Sequence, residues 1–170
     1  MSTAQLGNVK IENNSATLEF TRFIKVTPAR VWNALTDPKE FGIWYNATAE
    51  IDPKVGGIFT VHSGPFTWTG PILAWEPAQF FKYEHNHEAV PEMPTGAQTT
   101  VTWTLLPKEG GTELTFTQSG LPSTAGFMPG THVIIDRLVA HVEGNEMPDF
   151  GTYYNEVEPL YEVWNANTQV

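Results

Sequence analysis

The chain has no cysteine at all. That excludes disulfides, thiolate nucleophiles and thiolate metal ligands together. Cationic residues are scarce as well: nine Lys and Arg give a net charge of −10. Binding nucleic acid requires a basic patch to meet phosphates, and none forms here; the same balance disfavours anionic membrane surfaces. No apolar run approaches the length of a membrane span, and the opening MSTAQLGNVKIE lacks the charged-then-apolar pattern of a secretory signal. A cytoplasmic location is the expectation. Gly-x-Ser-x-Gly and nucleotide-binding signatures are also missing, so neither a nucleophile elbow nor a cofactor is expected.

What is present is aromatic and well punctuated. Aromatic residues make up 12% of the 170 positions and hydrophobic residues 41%, too many large rings to scatter over a surface. The length fits one domain. Thirteen prolines and fourteen glycines are spread along the chain, as turns rather than as a linker.

The segment TRFIKVTPARVWNALTDPKEFGIW, Thr21 to Trp44, packs several signals together. Leu18, Phe20, Arg22 and Ile24 share one strand parity. Thr27 and Pro28 form a helix start, and Asp37-Pro38 ends that helix and opens a second short one. From Glu50 to Gln118, short β-like runs alternate with turns and carry no helix between them, which predicts an antiparallel meander. Thr131, Ile134, Ile135, Leu138, Val139 and Val142 then fall at helical spacing, up to a stop near Gly144. Phe150 to Trp164 predicts a last helix, with Pro159 expected to kink or break it.

The strand with Arg22, the TPARVWNALTDP run with Trp44, Gly56-Gly57-Ile58-Phe59, Gly70 with Trp75-Glu76-Pro77, and Gly111-Thr112-Glu113-Leu114 before Gly120-Leu121 occur in one order. Together they resemble the bacterial branch of the activator-of-heat-shock-protein-90-ATPase-like family, within the START and birch-pollen-allergen-like superfamily. The resemblance implies an α+β helix-grip fold. An antiparallel sheet of about six to seven strands would wrap around a long C-terminal helix, with two short helices after the first long strand. Residues 7–145 would form the ligand-binding core, and 146–170 a tail packed on it as a broken helix. One branch of the family has Gly-Trp-His-x-x-x-Asp-x-Leu where this chain has Gly130, Thr131, His132, Asp136 and Leu138. A small Thr131 in place of tryptophan leaves room in the cavity, or leaves Trp164 to fill it.

Several side chains are candidates for a site. Arg22 lies among apolar neighbours, either to anchor an acidic ligand or to pair with Glu50 or Asp136. Tyr83, His85 and His87 share a strand face with Phe81; no third metal ligand stands at a recognisable spacing, which leaves His85 as a cavity hydrogen-bonding group or a solvated strand end. His132 and Asp136 are helical neighbours four apart, either an oriented base or a polar flank. Trp44, Phe59, Trp68, Trp103 and Phe116 supply aromatic walls.

Three functions stay open. The first is binding of a small, largely apolar molecule between sheet and helix. The second is an enzyme of cyclase, dehydratase or hydrolase type with Tyr83 or His132 in acid–base roles. The third, implied by the family name, is a co-chaperone-like interaction domain. Monomer and homodimer are both compatible with the sequence.

Overall fold

A computed structural model of the protein describes residues 5–89, 96–122 and 127–168, with side chains as far as Tyr161 in the last segment. The proline-rich loop expected over Val90 to Gly96 therefore lies mostly outside the described residues, as does the Trp164 side chain.

The chain opens with a hairpin, β1 (Asn8–Glu12) and β2 (Ser15–Ile24). Asn13 and Asn14 make its turn at positive φ, 50° and 62°, a conformation asparagine tolerates better than most residues. Two short helices follow, α1 (Pro28–Thr36) and α2 (Pro38–Tyr45). The Thr27 hydroxyl accepts from the Arg30 N–H at the start of α1. Asp37 serves both helices: it stops α1 in an extended conformation, and its carboxylate accepts from Lys39 and Glu40 at the head of α2. Such a cap contributes about 0.5–2 kcal/mol.

The meander then runs through β3 (Thr48–Ile51), β4 (Ile58–Ser63), β5 (Phe66–Glu76), β6 (Phe80–Glu84), β7 (Asn86–His87), β8 (Thr100–Lys108) and β9 (Gly111–Pro122). All pairings are antiparallel, in the order β1-β2-β9-β8-β6-β5-β4-β3, with β7 on β5. The sheet is curved and unclosed. Among the described residues it has nine strands, more than the six or seven expected: the short β3 adds one, and a split adds another. The run Phe80 to His87 splits at His85: β6 pairs with the second half of β5 and β7 with the first half. The bend falls where Gly70 of β5 meets the Glu84 carbonyl, so closely that a Cβ there would overlap it.

Helix α3 (Met128–Glu143) lies across the concave face and stops at Gly144, which takes φ 74°. It begins three residues earlier than its apolar stripe indicates, at Met128 and Pro129, both buried. Arg137 ties α3 to α2 by donating from Nε to the Trp44 carbonyl at 2.9 Å. A last helix, α4 (Phe150–Thr168), packs on α3. Of the kink or break expected at Pro159, a break is absent: the helix runs through it as one segment. Pro159 and Asn155, whose carbonyl loses its partner, are both exposed, and water can take the orphaned carbonyl.

The core sits between the sheet and α1–α3. Trp44 is fully buried, donates from Nε1 to the Ala34 carbonyl at 2.8 Å, and meets Phe41 and Trp103 edge to face. Phe59 packs against Phe41 and Tyr83, with ring centres 5.2 and 4.8 Å away.

Candidate functional site

Alternation along β6 turns Phe81, Tyr83 and His85 to the concave face, and the same parity on β8 and β9 brings in Trp103, Phe116 and Gln118. Helix α3 closes over them with Thr131, Ile134 and Ile135, and α2 contributes Tyr45. All of these but Phe81 line a void of about 30 Å³. That is room for a water or two, since a cavity needs about 10–15 Å³ of such space to hold one, whereas a typical ligand pocket spans about 300–1,000 Å³. The gap between sheet and helix is therefore real but narrow.

Its chemistry is less settled than its packing. His85 is 6% exposed, and neither ring nitrogen has a hydrogen-bond partner among the described residues. Burial, reinforced by the neighbouring His87, pushes its pKa well down and keeps the imidazole neutral. Neutral imidazole carries one donor and one acceptor, so two capacities are left open inside the protein. His85 lies in a stack of rings, 4.9 Å from both His87 and Trp68 and 6.0 Å from Tyr83. Burial also lowers His87, to about 4. Tyr83 accepts from Trp103 Nε1 at 3.1 Å. Its pKa is raised by burial and only partly lowered by that bond, so the phenol stays protonated. The indole N–H of Trp68 is a further buried donor without a partner among the described residues, and Trp68 lines a shallow recess with Pro65, Phe66 and His87.

A second polar group lies where β2, α3 and α4 meet, outside the lining of the void. Arg22 of β2 donates from Nε to Asp136 Oδ1 at 2.8 Å and from Nη1 to the Thr21 carbonyl at 2.9 Å. His132, wholly buried, lies 3.0 Å from Asp136 Oδ2 through Nε2. Its Nδ1 is 2.8 Å from the Tyr161 hydroxyl, which accepts from the Gly7 N–H at 3.0 Å. Tyr153 donates to Asp136 Oδ2 at 2.7 Å. Burial alone would raise Asp136; the His132 bond, the Arg22 charge and the Tyr153 bond outweigh it and hold the carboxyl at about 2. Tyr153 is pushed up by burial and then by the Asp136 carboxylate. Tyr161 rises to about 12, chiefly through burial. Among the described residues, only Arg22 Nη2 is left without a partner in this group.

The ten side chains singled out from sequence thus separate into three sets. Tyr83, His85, Trp103 and Phe116 line the void, with Trp68 beside His85. Arg22, His132 and Asp136 form the second cluster, in which Arg22 takes Asp136, not Glu50, as its partner. Trp44 and Phe59 are core. Tyr83 and His132, the two residues considered for acid–base roles, thus fall in different sets. Sequence reading missed Gln118 and Tyr45 in the void and Tyr153 and Tyr161 in the cluster. The signal for Gln118 was there: it continues the inward parity of Leu114 and Phe116 on β9. Among the described residues no three His, Asp or Glu side chains stand close enough to hold a metal ion, and no described helix is long and apolar enough to cross a membrane.

A curved antiparallel sheet gripping a helix over an aromatic-lined gap defines a helix-grip protein, a fold known for ligand binding. Residues 25–143 match the sequence profile of the family described as activator of Hsp90 ATPase homolog 1-like protein, and the chain belongs to that family. A protein from Mesorhizobium loti of known crystal structure is 27% identical; the match covers 75% of this chain and 94% of that one, with a TM-score of 0.65. CalU16 from Micromonospora echinospora shares the fold at 18% identity over 96% of both chains, TM-score 0.68. The Aha1 dimer from Colwellia psychrerythraea shares it at 20% identity over 75% of this chain and 96% of that one, TM-score 0.60. Among curated proteins, none matches the chain.

Proposed function

We propose that the protein binds a small, neutral, largely apolar ligand in the gap between α3 and the sheet, against His85. The observation that supports this reading is the pair of unpartnered ring nitrogens on a histidine only 6% exposed. Leaving a buried polar group unsatisfied costs about 1–3 kcal/mol, and a ligand or water that bonds it removes that cost. The apolar walls around a few polar groups have the composition of a binding site. Because the void holds only about 30 Å³, binding requires α3 side chains to move apart from the sheet, with Thr131 and Ile134, both half-buried, the nearest to yield.

The test is a fluorescence titration with N-phenyl-1-naphthylamine, a neutral apolar probe, alongside native mass spectrometry of the freshly purified protein for a retained molecule. Saturable binding at one site, accompanied by a raised Tm and abolished by Thr131→Phe, is the expected result. Binding that does not saturate, or that Thr131→Phe leaves intact, would overturn it. The acid–base enzyme reading, with Tyr83 or His132 in that role, finds its two residues in different sets. The homodimer and co-chaperone readings draw on the family and on the Colwellia dimer, and no contact within this chain favours either.

A further inference from the structure

Gln118, 6% exposed, supplies an amide to the same void. A side-chain amide can be turned either way, and here the neighbours decide which way. The Thr99 hydroxyl, 2% exposed, gives its single hydrogen to the His85 carbonyl. Toward Gln118 it can only accept, so the atom facing it at 3.0 Å is the Gln118 NH2 group. The second amide hydrogen faces His87 Nε2 at 3.4 Å. Both amide hydrogens are thereby committed to the strands, and among the described residues nothing donates to the Gln118 carbonyl oxygen. No side chain lining the void carries a formal charge: the walls are Tyr45, Tyr83, Trp103, Phe116 and the α3 residues, with neutral His85 beside Gln118. Arg22 is not among the residues that line the void, and Asp136 holds it.

From this arrangement we infer that Gln118 is the specificity-determining residue of the void, selecting neutral ligands that carry an O–H or N–H donor. The donor docks on the Gln118 carbonyl oxygen while His85 takes a second polar contact. Thr99 and His87 are positioning residues that fix the amide. Carboxylates are rejected: their oxygens meet the Gln118 oxygen with no cation nearby, and a charged group stripped of water without a partner is strongly disfavoured. Ethers and hydrocarbons of the same shape enter but lack the donor.

The inference rests on the binding reading above, and its test separates the two. Calorimetric titrations compare 2-naphthol, 2-methoxynaphthalene and 2-naphthoate, which share one ring system. The expected ranking places 2-naphthol roughly tenfold tighter than the methoxy compound, as one hydrogen bond in a dry site supplies, with no detectable binding of 2-naphthoate. In Gln118→Met the first two converge. In the unmodified protein, 2-naphthol shifts the Gln118 side-chain carbonyl resonance and the methoxy compound does not, a readout that stands even where the variant fails to fold. Equal binding of the two neutral probes, or preference for the naphthoate, overturns the role of Gln118 and leaves ligand binding standing. If none of the three saturates, ligand binding itself falls, and the inference with it.

Discussion

The two polar regions beside α3 bury their groups in opposite ways. Where β2, α3 and α4 meet, a histidine, a carboxylate, a guanidinium and two tyrosine hydroxyls bond one another. In the void, the ring nitrogens of His85 and the carbonyl of Gln118 have no hydrogen-bond partner among the described residues. The first group contains the charges and is nearly closed; the second contains none and is open. A buried ionic group left to itself is untenable, so evolution of such a cluster has to complete it within the protein. A neutral histidine left half-satisfied is affordable, and it is where a ligand finds its bonds. The contrast explains why the more catalytic-looking trio, Arg22, His132 and Asp136, reads as scaffold, while the plainer strand histidine reads as site.

Four perturbations would sharpen or break that contrast. The largest is Asp136→Ala, which removes the partner of Arg22 and of His132 together. Breaking one half of a buried pair costs about 3–5 kcal/mol, so Tm should fall steeply; Arg22→Met added to Asp136→Leu should restore much of it. A drop no larger than that of an exposed carboxylate variant would undo the scaffold reading. Acid comes next. Asp136 sits at about 2 in the fold against an ordinary 3.8, so its contribution, about 2 kcal/mol by linkage, is complete above pH 4 and disappears as pH falls toward 2. His87, held at about 4 by burial, acts earlier: between roughly pH 6.5 and 4 the unfolded chain takes up its proton first, and stability falls with pH there too. Buried neutral His85 acts in the same direction, so urea melts across pH 7 to 2 should show a loss in two stages, the upper one reduced in His87→Phe and reduced further when His85→Leu is added. A smaller effect follows from Tyr161→Phe, which strands His132 Nδ1 and the Gly7 N–H at once, for about 1–3 kcal/mol. The least in size and the opposite in sign is His85→Leu. Removing an unsatisfied buried group should leave the unliganded protein equal or up to about 1 kcal/mol more stable while weakening probe binding; clear destabilisation would show His85 to be structural after all.

Architecture was legible because it is periodic. Strand parity around Arg22 and Tyr83, the Thr27 and Asp37 caps, and the stripe on α3 are local patterns that tertiary packing only had to accept. Two features depend on contacts that periodicity does not carry. The apolar stripe from Thr131 to Val142 does not include His132, which Tyr161 of α4 and Phe20 of β2 help to bury. Pro159 signals a kink or a break, and its exposed position lets one helical segment run through. The site was half legible: even-numbered residues of β6 and β9 point outward or inward by rule, which placed Tyr83, His85 and Phe116. Whether a polar side chain facing inward finds a partner depends on residues far away in sequence, as Thr99 and His87 do for Gln118. No spacing encodes that.

The hydroxyl of Tyr161 holding the Gly7 N–H at 3.0 Å also has a mechanical side. It joins the lead-in to the outermost strand to the outermost helix, so a load applied across Gly7 and Tyr161 falls first on the periphery. One hydrogen bond and the five paired positions of the β1–β2 hairpin would peel away while the long β2–β9 pairing still carries no tension. Pulled between those two points, the protein should yield in an early low-force step and then rupture once, with the fastened ends serving as its fuse.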